Sequence, residues 1–271
     1  MAAKDRATEV TMRSKHPPAN QPIGPLPTTN HDPIHLYSLD VFKTALKFKS
    51  GSAAGPSGLR PEHLRVVLQC STTRRDLASS ALTKLLNAMI TGKIPDEVTP
   101  YFCGAQLHAS KKRDGGLRPI AVGNLLRRLT SKCLAAAVAD KAAGLLAPLQ
   151  AGVGVHGGCE AIVHATKQAL DENPEKSVLQ ADLINAFNVA DRGTALQEVA
   201  EKFPEILSWC KSSYGRASLL VSINSIIESV TGFHQGDPLA SLLSNEDVPE
   251  NEKAPSHRVY KRRFRFLDFF F

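Results

Sequence analysis

Apolar residues recur at helical spacing in some stretches of the chain and alternate with polar ones in others. Leu39, Phe42, Ala45 and Leu46 follow Ser38, a residue suited to an N-cap, and predict an amphipathic helix. Leu77, Ala81, Leu85 and Met89 form a stripe, widened by Leu82 and Leu86, that predicts a helix over 76–90. Gly92 ends it and Pro95 prevents its continuation. Residues 102–110 and 117–122 flank Asp114-Gly115-Gly116 and predict a β-hairpin. Ala-rich helix is expected over 124–146, and a further helix over 159–170. Residues 177–183 read as a short buried strand, and 192–203 and 205–212 as helical segments with Trp209 in the core. Residues 218–223 and 226–231 alternate around Asn224-Ser225 as a second hairpin, and Pro238 is placed to start a helix.

The two ends do not share these patterns. Residues 1–34 hold six prolines from Pro17 to Pro33 and few large apolar side chains, which predicts a flexible leader. Residues 245–271 turn polar and then basic. Five of the eleven phenylalanines fall in the last eight residues, so this tail reads as foreign to the domain before it.

Composition narrows the class. With 271 residues, 42% hydrophobic and 22% charged, the chain can bury a core as an ordinary globular protein. A net charge of +7 favours a polyanionic partner. The five cysteines are widely spaced, without a Cys-x-x-Cys, which argues for free thiols in a reducing compartment and against a zinc site. No run of 18 apolar residues and no signal-peptide core appear, so the expectation is an intracellular chain, cytoplasmic or nuclear, with no membrane partner.

Two boxes carry candidate chemistry. Asp182 stands at the mouth of a turn after the expected strand, with Phe187 five residues on, and an ionised carboxylate there needs a metal, a cation or several donors. Its plainer reading is a turn cap. The second box is Gln235-Gly236-Asp237-Pro238-Leu239. Together, Asp182-x-x-x-Ala186-Phe187 and Gln235-Gly-Asp-Pro-Leu239 resemble the palm of reverse transcriptases of the non-LTR retrotransposon and group II intron type. Ala54-Gly-Pro-x-Gly-Leu59 is similar to the entry to their fingers, and Lys111-Lys112-x-x-Gly-x-x-Arg118-Pro-Ile120 to their fingers hairpin.

The resemblance implies an α+β fold: a partial fingers and palm of a right-hand polymerase, helix-rich with antiparallel hairpins, without a complete palm or thumb. It spans residues 36–244 and implies a fingers-like region over 35–176 and a partial palm over 177–244. It further implies an RNA-directed DNA polymerase, moving nucleotides from dNTPs onto a DNA primer against an RNA template with two magnesium ions. Asp182 would be the catalytic metal carboxylate and the Leu183 carbonyl a second ligand. Lys112 and Arg118, with Lys111 and Arg113 beside them, would meet the triphosphate, and Arg127 and Arg128 would add cations for the nucleic acid. Phe187 would crowd the sugar 2′ position. Gln235 and Gly236 would lie against the nucleotide and template, and Asp237 would order its own turn.

The family also carries a Tyr/Phe-Ala-Asp-Asp hairpin whose aspartates complete the metal site. No Asp-Asp pair occurs in this sequence, and the nearest imitation, Phe266-Leu267-Asp268-Phe269, has one acid. The expectation is therefore a fragment ending before that box and unable to polymerise. A non-catalytic nucleic-acid-binding remnant is one alternative. Gly152-x-Gly154-x-x-Gly157 formally matches a dinucleotide fingerprint, which keeps a dinucleotide-dependent α/β enzyme as the other, although a proline and a helix precede it where a strand belongs.

Overall fold

A computed structural model describes residues 5–18, 23–113, 115–146, 150–153, 155–178, 185–222 and 225–244. The chain divides into two compact units, Met1–Ala136 with Asn185–Asp247, and Ala137–Ile184 with Val248–Phe271.

The first unit contains one mixed four-stranded sheet, and the described chain as a whole is mixed α and β. Helix α1 (Arg6–Ser14) comes first, then α2 (Ser38–Leu46), α3 (Pro61–Leu68), α4 (Thr72–Ile90) and the single turn α5 (Thr99–Phe102). Strands β1 (Ala105–Lys111) and β2 (Leu117–Gly123) pair antiparallel from Ala105–Gly123 to Lys111–Leu117, the hairpin expected from the alternation. Helix α6 (Leu125–Ala137) ends where α7 (Ala139–Leu146) begins, so the single expected helix is broken at Val138.

In the second unit, α7 is followed by α8 (Gly158–Glu172). Gly157 there has φ +67°, and a Cβ on Gly158 would lie 1.7 Å from the Ala151 carbonyl oxygen. Gly157 and Gly158 thus serve a tight local turn, and α8 follows a helix where the dinucleotide fingerprint requires a strand. Of the strand expected over 177–183, Ser177 and Val178 have no regular structure; the remainder, including Asp182 and Leu183, lies outside the described residues.

The chain re-enters the first unit with α9 (Ala186–Val189), α10 (Arg192–Lys202), a 3₁₀ turn (Pro204–Ile206) and α11 (Leu207–Tyr214). Strands β3 (Ser218–Val221) and β4 (Ile226–Ser229) form the second expected hairpin, and α12 (Ala240–Leu243) is a single turn beginning two residues after Pro238. Parallel pairing of Ala105–Gln106 with Leu220–Val221 joins the hairpins into a sheet of order β2-β1-β3-β4. Ala105, Leu107, Ala121, Leu220 and Ile227 face one side of it and bury Met12 of α1 against them.

Three expectations are corrected by this packing. Much of the leader is docked. Met12 is 2% exposed, a burial worth roughly 1.5–3 kcal/mol. The proline segment is fastened through its backbone: Lys211 Nζ donates to Pro27 O (2.8 Å), and Ile34 N–H donates to Glu205 O (3.0 Å). Helix α4 also turns a different face inward. Ser79, Thr83, Leu86, Met89 and Ile90 are buried, whereas Leu77 is 68% exposed and Leu85 46%. Burying Ser79 and Thr83 is tolerated because Ser79 Oγ donates to Ser38 O (3.1 Å) and Thr83 Oγ1 to Ser79 O (2.8 Å). On α2 the buried residues are likewise Val41, Thr44 and Ala45, and Tyr37, not Ser38, is the N-cap.

Candidate functional site

The loop from β4 to α12 carries the Gln235 box, and side chains of neighbouring elements fix its path. Arg192, at the first position of α10, uses its guanidinium as a clamp. Nε donates to Gly232 O (2.7 Å), and the two terminal nitrogens reach Arg216 O, Ser229 O, Ser229 Oγ and Thr231 O at 2.9–3.2 Å. Burial without a carboxylate partner pushes this guanidinium down to about 10.

Next, Gly232 and Phe233 dock on the α9 turn. Phe233 N–H donates to Phe187 O (2.6 Å), Gly232 N–H to Ala190 O (2.9 Å), and Thr231 Oγ1 to Asn188 O (2.8 Å). Gly232 has φ +61°, and a Cβ there would come within 2.2 Å of Phe187 O, so only glycine fits. The Phe187 turn and the Gln235 box, 48 residues apart by their numbers, are therefore held together.

Below the loop lies a buried polar chain. Asp237 Oδ2 accepts from Tyr214 Oη (2.9 Å) and pairs with Arg127 at 3.0 Å, with the two side chains 4% and 1% exposed. Asp237 Oδ1 accepts from Leu239 N–H (3.0 Å), closing its own turn as expected. Arg127 also donates to the Cys103 carbonyl and to His234 Nδ1 (2.8 Å). Since a guanidinium only donates, His234 Nδ1 is unprotonated, and its Nε2–H donates to Ser218 Oγ (3.2 Å). Burial, then the charges of Arg127, Arg192 and His16, hold His234 well below the usual histidine range. Burial and the Asp237 charge push Tyr214 well above the usual phenol value. Both arginines sit over the Tyr214 ring, at 5.0 and 5.4 Å from its centroid.

This buried network positions the loop. It also removes Arg127 from the expected nucleic-acid contacts, because its charge is spent internally. Burial likewise raises the thiols of Cys103, Cys133 and Cys210, which makes them inert as nucleophiles.

At the loop's crest, Gln235 O accepts from Ala121 N–H (3.1 Å) on the outer edge of β2. Gly236 has φ +137°, and a Cβ on it would come within 2.8 Å of Ala121 O and 4.0 Å of Ile120 Cγ2. Its small size is thus already required by β2. Arg118 shares a face of β2 with Ile120, one dipeptide step of roughly 7 Å away. Lys112 is half-buried beside the hairpin turn, while Lys111 and Arg113 are exposed.

The structure thus brings Phe187, Gln235 and Gly236 together and ties them to the hairpin that carries Arg118 and Lys112. Asp182 and Leu183, the expected magnesium ligands, lie outside the described residues. Among the described residues, no three His, Cys, Asp or Glu side chains gather as a metal site. No helix among them is long and apolar enough to cross a membrane.

Sequence reasoning missed Arg192, Tyr214 and His234. One signal was present: an arginine in the first turn of a helix opposes the macrodipole, so Arg192 needed another reason to be there. No protein-family model matches this chain, and no curated protein shows significant sequence similarity to it.

Proposed function

We propose that this chain is a reverse-transcriptase-type nucleotidyltransferase domain comprising fingers and part of a palm. By itself it holds RNA template, DNA primer and dNTP without extending the primer. The observation that carries the reading is the bond from Phe233 N–H to Phe187 O, which joins two boxes that the sequence likeness assigns to one nucleotide site. The Ala121–Gln235 bond supports it by linking that site to the hairpin of Lys112 and Arg118.

Phosphoryl transfer of this kind needs two metal ions about 4 Å apart. Asp182 alone cannot hold both, and with no Asp-Asp pair in the sequence the chain keeps binding and lacks chemistry. Asp237, the other acid of the two boxes, is committed to Arg127 and Tyr214. Use of the same surface purely to bind nucleic acid is the second reading, and the missing acid pair favours it.

The test is binding of a labelled RNA–DNA duplex as salt is varied, beside primer extension with magnesium and dNTPs. Binding is expected without extension. Replacing Lys111, Lys112 and Arg113 together by alanine should flatten the slope of log affinity against log salt by up to roughly 2. Extension abolished by Asp182→Asn would overturn the inactivity, and no duplex binding at low salt would overturn both readings.

A further inference from the structure

A second cationic cluster lies on the first unit around Phe48; of its members, only Arg128 is among the cations expected to meet nucleic acid. Lys47 caps the C-terminus of α2, and Phe48 follows it with its side chain buried. Two residues of α6 close over that ring: Lys132 Nζ lies 4.7 Å from the centroid and Arg128 Cζ 5.6 Å. Lys132 Nζ also reaches Lys47 O at 3.4 Å, and Arg65 donates to Phe48 O.

The frame around this cluster is fixed. Arg128 donates to Ala53 O, Ser57 N–H donates to Asn124 Oδ1 (2.9 Å), and a Cβ on Gly55 would collide with Gly123 O at 2.4 Å. The Gly-Pro-Ser-Gly turn is thereby pinned to the start of α6.

Charge here is unbalanced. Among the described residues, no ion pair joins Lys47, Arg128 or Lys132 to a carboxylate. Glu62 of α3 is engaged by Gly51 N–H (2.6 Å) and Ser50 Oγ (3.3 Å). Asp40 of α2 lies seven residues before Lys47, roughly 10 Å along the axis. Arg128 Nε is shielded from solvent with no hydrogen-bond partner among the described residues. Burial, then the like charges of Lys47 and Arg128, hold the Lys132 ammonium below the usual lysine range. The negative face of the Phe48 ring offsets part of that repulsion. An anion would relieve the rest.

We propose that Arg128 and Lys132, over the Phe48 ring, form with the neighbouring Lys47 a phosphate-binding site for a single nucleic-acid strand. A strand is favoured over a lone anion because the cations come from two elements, Arg128 and Lys132 four residues apart on α6, about 6 Å along its axis, and Lys47 at the end of α2, so successive phosphates can each meet one. The site does not rest on the polymerase reading.

The experiment uses the full chain and a labelled single-stranded RNA of mixed sequence, with anisotropy followed as salt is raised. K47Q/K132Q keeps both stems and removes two charges, so the slope of log affinity against log salt should fall by about 1.4, at 0.7 per contact. K84Q/K93Q removes the same net charge from exposed positions elsewhere and should leave the slope unchanged. Trp209 fluorescence checks folding. If the double variant unfolds, K132Q alone should lower the slope by about 0.7. Equal effects of both double variants would reduce the site to net charge and overturn it. So would displacement of the RNA by inorganic pyrophosphate at equal phosphate concentration, which would mark a free-phosphate site. A K47Q/K132Q defect seen with phosphatidylserine vesicles and not with RNA would also overturn it. A flattened slope in K47Q/K132Q beside an unresponsive hairpin-tip triple variant would leave this site standing and remove the polymerase reading.

Discussion

Replacing Asp237 by alanine tests the buried chain beneath the Gln235 loop. The substitution strips Arg127 of its only carboxylate partner among the described residues, where its side chain is 1% exposed, and leaves the Tyr214 hydroxyl proton and Leu239 N–H without their acceptor. Breaking a buried ion pair from one side costs about 3–5 kcal/mol, a large share of the roughly 5–15 kcal/mol that stabilises a domain. In urea, with an m-value of about 2 kcal/mol per molar, the midpoint should fall by about 2 M. Trp209 is the only tryptophan, is fully buried and donates Nε1–H to Ser131 Oγ (3.1 Å), so its fluorescence reports this unit directly. Arg127→Met completes a cycle. Removing both charges should cost about 2 kcal/mol less than the sum of the single losses, since neither charge is then stranded. Additivity within about 0.5 kcal/mol, or a loss below about 1 kcal/mol for Asp237→Ala, would refute the pairing.

Other outcomes follow from the same contacts. His234 and His16 are both held below the usual histidine range, burial being the first cause in each. The unfolded chain therefore takes up their protons first, and stability present above about pH 6.5 is lost as pH falls, by up to about 1.4 kcal/mol per pH unit for each histidine. Urea midpoints between pH 7.5 and 5 measure this, and a flat profile would contradict the neutral tautomer assigned to His234. Gly58→Ala, at φ +75° with open space around it, should cost only about 1–2 kcal/mol. Gly232→Ala, aimed at the Phe187 carbonyl, should cost more than about 3 kcal/mol; equal losses on thermal unfolding would mean that the two boxes do not touch.

Alternation and turn residues made both hairpins legible, because Asp114-Gly115-Gly116 and Asn224-Ser225 stop two period-two segments. The parallel β1–β3 pairing was not legible, since Ala105 and Leu220 meet across 115 positions with no local signal. Helix α4 was recognisable as a helix, but its inward face holds Ser79, satisfied by Ser38 O, and Thr83, satisfied within the helix, against the apolar stripe of Leu77 and Leu85. The prolines of the leader argued against order. Yet proline restrains the unfolded chain as well and leaves its carbonyl free to accept, as Pro27 does from Lys211. For the site, Gln235, Gly236 and Phe187 were readable as motifs. Arg127 and Arg128 looked equivalent in sequence, but consecutive helical positions point about 100° apart. One is consumed by Asp237 and the other turns to Phe48.

The most direct measurement of the central claim is the affinity of the full chain for an RNA template annealed to a DNA primer, with magnesium and one dNTP at a time. A nucleotide site built from Phe187, Gln235 and Arg118 should hold the duplex more tightly with the dNTP complementary to the next template base. It should do so without extension, and Arg118→Ala should remove the effect. Equal affinity with complementary and mismatched dNTPs would contradict the reading and leave a nucleic-acid-binding protein without a nucleotide site.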